Sequence, residues 1–119
     1  MIKVIDMTTN IDLAIIPTAK EARMTTQTQI RGFAKMLLQI YAKKISDLIT
    51  TAMRSGEKNI DLFVSEHELG DLSYLENDTI EKCFQTLFNE FGYNDVTFSY
   101  YSDGYRRKTG NKMWVMVHW

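Results

Sequence analysis

The sequence predicts an α+β domain: a long N-terminal helix and a second helix packed on a small antiparallel or mixed sheet that ends in a C-terminal β-hairpin. Three observations carry this. Apolar residues recur at three- and four-residue steps from Ile30 to Ala52 and again from Ile80 to Phe91, as on one face of a helix. Val96, Phe98 and Tyr100 alternate with Thr97, Ser99 and Tyr101, and Met113, Val115, Val117 and Trp119 alternate with Lys112, Trp114, Met116 and His118. A polar segment, Ser102–Asn111, joins these two runs and holds Asp103-Gly104 and Gly110-Asn111. The 119 residues match the ~100–150 of one hydrophobic core, so residues 1–119 are expected to form a single domain.

Taken in order, residues 2–6 alternate weakly and read as a short strand, followed by turn chemistry at Thr8-Thr9-Asn10. Thr18-Ala-Lys-Glu21 has capping-box spacing, so a helix is expected to start at Ala19. Thr25-Thr26-Gln27-Thr28 is poor helix material, and Thr26 with Gln29 offers a second capping box, so the helix either breaks there or runs on unbroken. Ile30, Phe33, Leu37, Tyr41, Ile45, Leu48 and Ala52 then form one helical stripe, ended by Ser55-Gly56. Unbroken from 19 to 55, the helix would be ~55 Å long. Met36, Leu38, Ile40, Ile49 and Met53 widen its apolar surface beyond one stripe. Either the helix is buried on several sides in its own fold, or residues 30–53 pack against a second copy and the protein is at least a dimer. Ile60–Val64 alternates with period two and reads as a strand. Ser65-Glu-His-Glu68 caps about one turn of helix before Gly70. Asp78-Thr-Ile-Glu81 opens the clearest helix, with Ile80, Cys83, Phe84, Leu87, Phe88 and Phe91 on its apolar face and Gly92-Tyr93 as its C-terminal signal.

Charge and cysteine content exclude several classes. Fourteen basic against fifteen acidic side chains give a net charge of -1 and a pI near 6.1, so duplex nucleic acid is not the expected partner. The one cysteine, Cys83, forms no internal disulfide, which points to a reducing compartment, the cytoplasm. Met1–Asp6 lacks the apolar core of a signal peptide, and no stretch reaches the ~18–20 apolar residues of a membrane span.

Catalytic material is sparse. His67 lies between Glu66 and Glu68, but adjacent residues do not share a helix face. No paired cysteines or His-x-x-x-His spacing suggests a metal, and the glycine turns match no phosphate-binding fingerprint. Cys83 sits among Phe84 and Leu87 as a small hydrophobe. The expectation is a non-enzymatic protein without a cofactor; an enzyme would need a cleft built from Glu66, His67 and His118. The most unusual stretch is Tyr100–Gly110, where three tyrosines and the run Arg106-Arg107-Lys108 crowd one hairpin. Arginine forks pair with phosphate, and tyrosine planes stack on bases. Arg106, Arg107 and Lys108 are therefore the candidate phosphate contacts, and Tyr101 and Tyr105 the stacking or rim residues. Arg31, Lys35, Lys43, Lys44 and Arg54 read as the solvated face of the long helix. Arg23 stands apart: beside a break at Met24–Thr26 it would meet free amides, a setting that suits an anion. Tyrosine and arginine also dominate interface hot spots, so the same hairpin fits a protein-interaction module.

Ala22-Arg23 followed by Thr25-Thr26, a long helix ending at Gly56, Gly92-Tyr93 before an alternating strand, and a final tryptophan-bearing strand together resemble small accessory proteins of tailed bacteriophages. That class includes host-enzyme inhibitors, antagonists of bacterial immunity and minor virion components. The resemblance implies a host-cytoplasmic homo-oligomer, and for one branch of the class a ligand that is a nucleotide-derived messenger held by arginines and aromatics. It spans most of residues 18–119 and assigns no individual residue.

Overall fold

The computed structural model describes residues 16–101, 107–110 and 112–119. The element order is α1 (Ala19–Arg54), β1 (Asn59–Val64), α2 (Glu66–Leu69), a 3-10 turn at Gly70–Leu72, α3 (Asn77–Glu90), β2 (Asp95–Tyr100) and β3 (Met113–His118). This is the α+β fold read from the sequence. The sheet is antiparallel throughout, in the order β1-β3-β2, so the last strand is the central one. The expected strand at residues 2–6 lies outside the described residues. No described helix is long and apolar enough to cross a membrane.

Helix α1 starts where the capping box predicts: the Thr18 hydroxyl accepts from the Glu21 amide at 3.2 Å. Of the two alternatives at Thr25–Thr28, the helix takes the unbroken one. The Thr26 and Thr28 hydroxyls donate to the Ala22 and Met24 carbonyls, at 2.8 and 2.9 Å, so these threonines find partners inside a continuous helix. Its 36 residues run ~54 Å, and the described residues extend 68 Å in their longest dimension. Every residue from Ala19 to Gln29 is exposed. That projecting portion is mostly Lys, Glu, Arg, Thr and Gln, which water solvates without a partner. The apolar middle lies on the body instead. Leu37 and Tyr41 are buried in the protein's own core, while Met36 and Ile40 stay 41% and 42% exposed.

The core lies between the helices and one face of the sheet. Register sets its rows: Ile60, Val117 and Val96, then Leu62, Val115 and Phe98, then Val64, Met113 and Tyr100. Leu37, Tyr41, Ile80, Cys83, Phe84, Leu87 and Phe88 close over them. An aromatic path runs Tyr41–Phe84–Phe88–Tyr93–Trp119, with centroids 5.8, 6.5, 6.2 and 5.8 Å apart. Helix α3 begins at Asn77, one residue before the capping box expected at Asp78, because the Asn77 amide already donates to the Lys108 carbonyl at 2.7 Å. Phe91 departs from expectation. It is the C-cap, past the last full turn, and stands 61% exposed. Gly92 takes φ 87° and donates to the Asn89 carbonyl, and Tyr93 returns to that of Phe88, closing the helix as Gly92-Tyr93 predicts.

Helices α1 and α3 run side by side in the same direction. The first turn of α3, at Thr79 and Lys82, faces α1 near Thr26–Phe33, and its last turn faces Ile45–Thr50.

Candidate functional site

Three short segments meet at the end of the sheet from which α1 projects. The first is α2. Ser65 caps it, its hydroxyl accepting from the Glu68 amide, which turns Glu66 and His67 outward. The turn is held to α1 by the Lys44–Glu68 ion pair at 2.8 Å, and the Ser65 hydroxyl also donates to Glu68 at 3.2 Å. Partial burial alone would raise the Glu68 carboxyl, but the Lys44 ammonium outweighs it and leaves the group below the ordinary carboxylate range. Burial, with the Glu68 charge adding to it, drives the Tyr41 phenol well up, so Tyr41 stays protonated beneath the turn.

The second segment is the end of the β2–β3 ladder, where the Tyr101 amide donates to the Lys112 carbonyl at 3.0 Å. The Tyr100 hydroxyl donates to the Glu81 carboxylate, tying this strand end to α3. The third is residues 107–110, which Asn77 pins. Asn77 is 4% exposed; besides its backbone bond to Lys108, its side-chain amide donates to the Arg107 carbonyl at 2.8 Å. Gly110 closes the segment at φ 70°, and a Cβ there would lie 3.0 Å from a Glu66 carboxylate oxygen. This conformation favours glycine, and an added side chain would also have to push the Glu66 carboxylate aside.

Between the three segments lies a cleft of about 640 Å³, lined by Ser65, Glu66, His67, Tyr101, Arg107, Gly110 and Lys112. Two permanent cations face one carboxylate, beside an aromatic wall. The Arg107 guanidinium also donates to the Gly110 carbonyl at 3.5 Å. A smaller cleft of about 210 Å³ lies on the far side of Arg107, lined by Glu76, Asn77, Asp78, Arg107 and Lys108.

The structure therefore brings Tyr101 and Arg107 together and turns Lys108 to the neighbouring cleft. Tyr105 and Arg106 lie outside the described residues. Arg23 is exposed on the projecting part of α1 and lines neither cleft. With α1 continuous, the free amides expected beside Arg23 are absent, since they bond along the helix. His118 pairs with Asn59 and Asp95 at the opposite end of β3, so Glu66, His67 and His118 do not share a cleft. Lys112, Glu66, His67 and Asn77 complete the site. The sequence marked Glu66 and His67 as a capped turn and as part of a cleft with His118, and gave no sign that residues 107–110 would fold against them. Among the described residues no group of three or more His, Cys, Asp or Glu is placed to hold a metal ion. Cys83 is buried, and burial pushes its thiol up to about 11, the behaviour of a packing residue.

The chain matches no protein-family model, no curated protein and no solved structure.

Proposed function

We propose that this protein is a non-catalytic binding protein for a phosphorylated small molecule, a nucleotide or nucleotide-derived messenger, and that it works as a homo-oligomer assembled through α1. The observation that carries the reading is the convergence of Arg107, Lys112 and Tyr101 on one cleft. Arg107 and Lys112 neutralise phosphate, the guanidinium by a bidentate fork and the ammonium as a point charge. Tyr101, 67% exposed, offers its ring to a base. Glu66 cannot face phosphate directly and serves instead as an acceptor for ribose hydroxyls or a base amine. Arg106 and Tyr105 precede Arg107 in the chain and extend the same basic, aromatic character, as does Lys108 one residue on. A phage accessory protein with such a site would counter host immunity by holding the messenger away from its receptor.

Thermal shift against mononucleotides, cyclic nucleotides and inorganic phosphate tests the reading. A ligand at a hundredfold excess over Kd adds about 2.7 kcal/mol to the folded state, and Arg107→Ala with Lys112→Ala should abolish the shift. No shift with any of these at millimolar concentration would sink it.

The outer face of the sheet favours a second reading, a module that blocks a host protein. Phe63 and Trp114 pack there as a tilted pair with centroids 4.9 Å apart, and no described helix covers them. Trp114 is 39% exposed, the kind of aromatic that anchors interfaces. One host protein retained stoichiometrically by the wild type and lost on Trp114→Ser, with no nucleotide shift, would favour this reading over ligand capture.

A further inference from the structure

We infer that the ligand held by this site is a dinucleotide: the cleft opens onto the outer face of the sheet, where Trp114 stacks a second base and Lys112 takes the phosphodiester between the two. This rests on the nucleotide reading above and sets the length of its ligand.

The cleft and the outer sheet face are one surface. Met113, Val115 and Val117 are fully buried, so the residues that alternate with them, Lys112, Trp114, Met116 and His118, lie on the opposite face. Register carries this alternation to the neighbouring strands, where Phe63 and Ser99 flank Trp114. The next row continues the same pairings. Ser65 keeps an extended backbone at φ -124° and ψ 154°, and the Tyr101 amide donates to the Lys112 carbonyl, so Ser65 and Tyr101 flank Lys112. Those three residues line the cleft. The cleft floor is therefore the last row of the outer face, and Phe63, Trp114 and Ser99 form the row before it.

These two rows hold the parts of a two-base site. Lys112 stands at the corner between two aromatic rings. Tyr101 is its cross-strand neighbour at ~5 Å, and Trp114 lies two residues along the same strand, ~7 Å away. A base on each ring sets the linking phosphodiester over the Lys112 ammonium and leaves the terminal phosphate to Arg107. Both rings are open to a ligand, Trp114 being 39% and Tyr101 67% exposed. Phe63 packs against the indole from the β1 side at an interplanar angle of 55°, while Ser99 on the β2 side is too small to cover it. Stacking accepts every base, so this platform fixes how many bases bind and not which.

Charge ends the site after two nucleotides. The row beyond Trp114 is Asp61, Met116 and Thr97, and the row after that carries Asp95. Both aspartates are exposed. The outer face is thus cationic where it meets the cleft and acidic one and two rows further on, each row being ~7 Å. A longer strand would lay its next phosphate beside Asp61, within the ~10 Å over which repulsion is felt at 0.1 M salt. A mononucleotide would leave the Trp114 ring uncovered.

Isothermal titration calorimetry with AMP, GMP, the dinucleotides pApA and pGpG, and an eight-nucleotide adenylate strand tests this. A dinucleotide should bind the wild type about ten- to a hundredfold tighter than its mononucleotide, the gain from one more stacked base. Trp114→Ala should erase that gain. Trp114→Phe, which keeps an aromatic plane and guards against a folding defect, should retain most of it. Met116→Ala, one row beyond, should leave both affinities unchanged. A dinucleotide no tighter than its mononucleotide, or a gain that survives Trp114→Ala, overturns the inference and leaves the nucleotide reading standing. So does an eight-nucleotide strand bound more than tenfold tighter than the dinucleotide, since Asp61 would then not end the site. No binding by any of these at millimolar concentration overturns the inference and the nucleotide reading together.

Discussion

Removing the Phe84 ring should bring the fold close to collapse. Phe84 is fully buried at the centre of α3, its ring centroid 5.8 Å from that of Tyr41 and 6.5 Å from that of Phe88. Phe84→Ala leaves a cavity walled by α1, α3 and the sheet. Large-to-small changes of this type cost ~3–5 kcal/mol, and a chain of this size holds only ~6–18 kcal/mol in all. With a urea m-value of ~1.5–2 kcal/mol/M, the midpoint should fall by about 2 M. Urea titration followed by circular dichroism, at one fixed protein concentration, reads this directly. Gln85→Ala, at the next and exposed position, is the control and should stay within ~0.5 kcal/mol. A Phe84→Ala cost below ~1 kcal/mol, or a Gln85→Ala cost as large, would show that α3 presents a different face to the core.

Glu68→Gln should lower stability by ~0.2–1 kcal/mol at pH 7, the range of a partly exposed ion pair. Because the folded carboxyl sits below its ordinary value of 4.5, its contribution is present above that pH and lost as pH falls through the folded value. Denaturant titrations of wild type and variant should therefore converge in acid; a constant gap down to pH 2 would refute the Lys44 pairing. Asn77→Ala removes the side-chain donor to Arg107 and should cost ~1–2 kcal/mol. It should also speed tryptic cleavage after Arg107 and Lys108, and an unchanged digestion rate would mean that something else pins the segment. Gly110→Ala should destabilise by more than ~1 kcal/mol, since φ 70° and the Glu66 carboxylate both oppose a Cβ; a neutral result by thermal melt would place Gly110 elsewhere. Native protein should react slowly with a thiol reagent at pH 8, where the buried Cys83 remains protonated, and at full rate once unfolded.

The fold was legible because its elements are periodic. The α3 stripe, the β2–β3 alternation and the Thr18 and Ser65 caps are local signals, and each appears where its spacing puts it. The sequence left a break at Thr25–Thr28 open because threonine is a poor helix former only until its hydroxyl finds a carbonyl one turn back, which two of the three do. Phe91 failed because a stripe does not say where the helix stops. The site was half legible. Tyr101 and Arg107 stood out by composition, but their neighbours Glu66, His67 and Lys112 are brought in by strand register and by the Asn77 clamp. Those are contacts across 30 residues or more that no local pattern encodes.

The central place of β3 sets the timing of assembly. Among the described residues β1 and β2 each pair with β3 and not with one another. A nascent chain therefore carries both earlier strands without their shared partner until β3 emerges. At ~5–20 residues per second, the ~50 residues between Val64 and Met113 keep β1 waiting for seconds. Over that time α1 and α3, which are local, can form and shield the strands' apolar faces. Sheet formation is then a single late event that closes two interfaces at once. Folding rate should respond to substitutions in β3 far more than to equal losses of stability in α1, and hydrogen exchange should report β1, β2 and β3 opening as one unit.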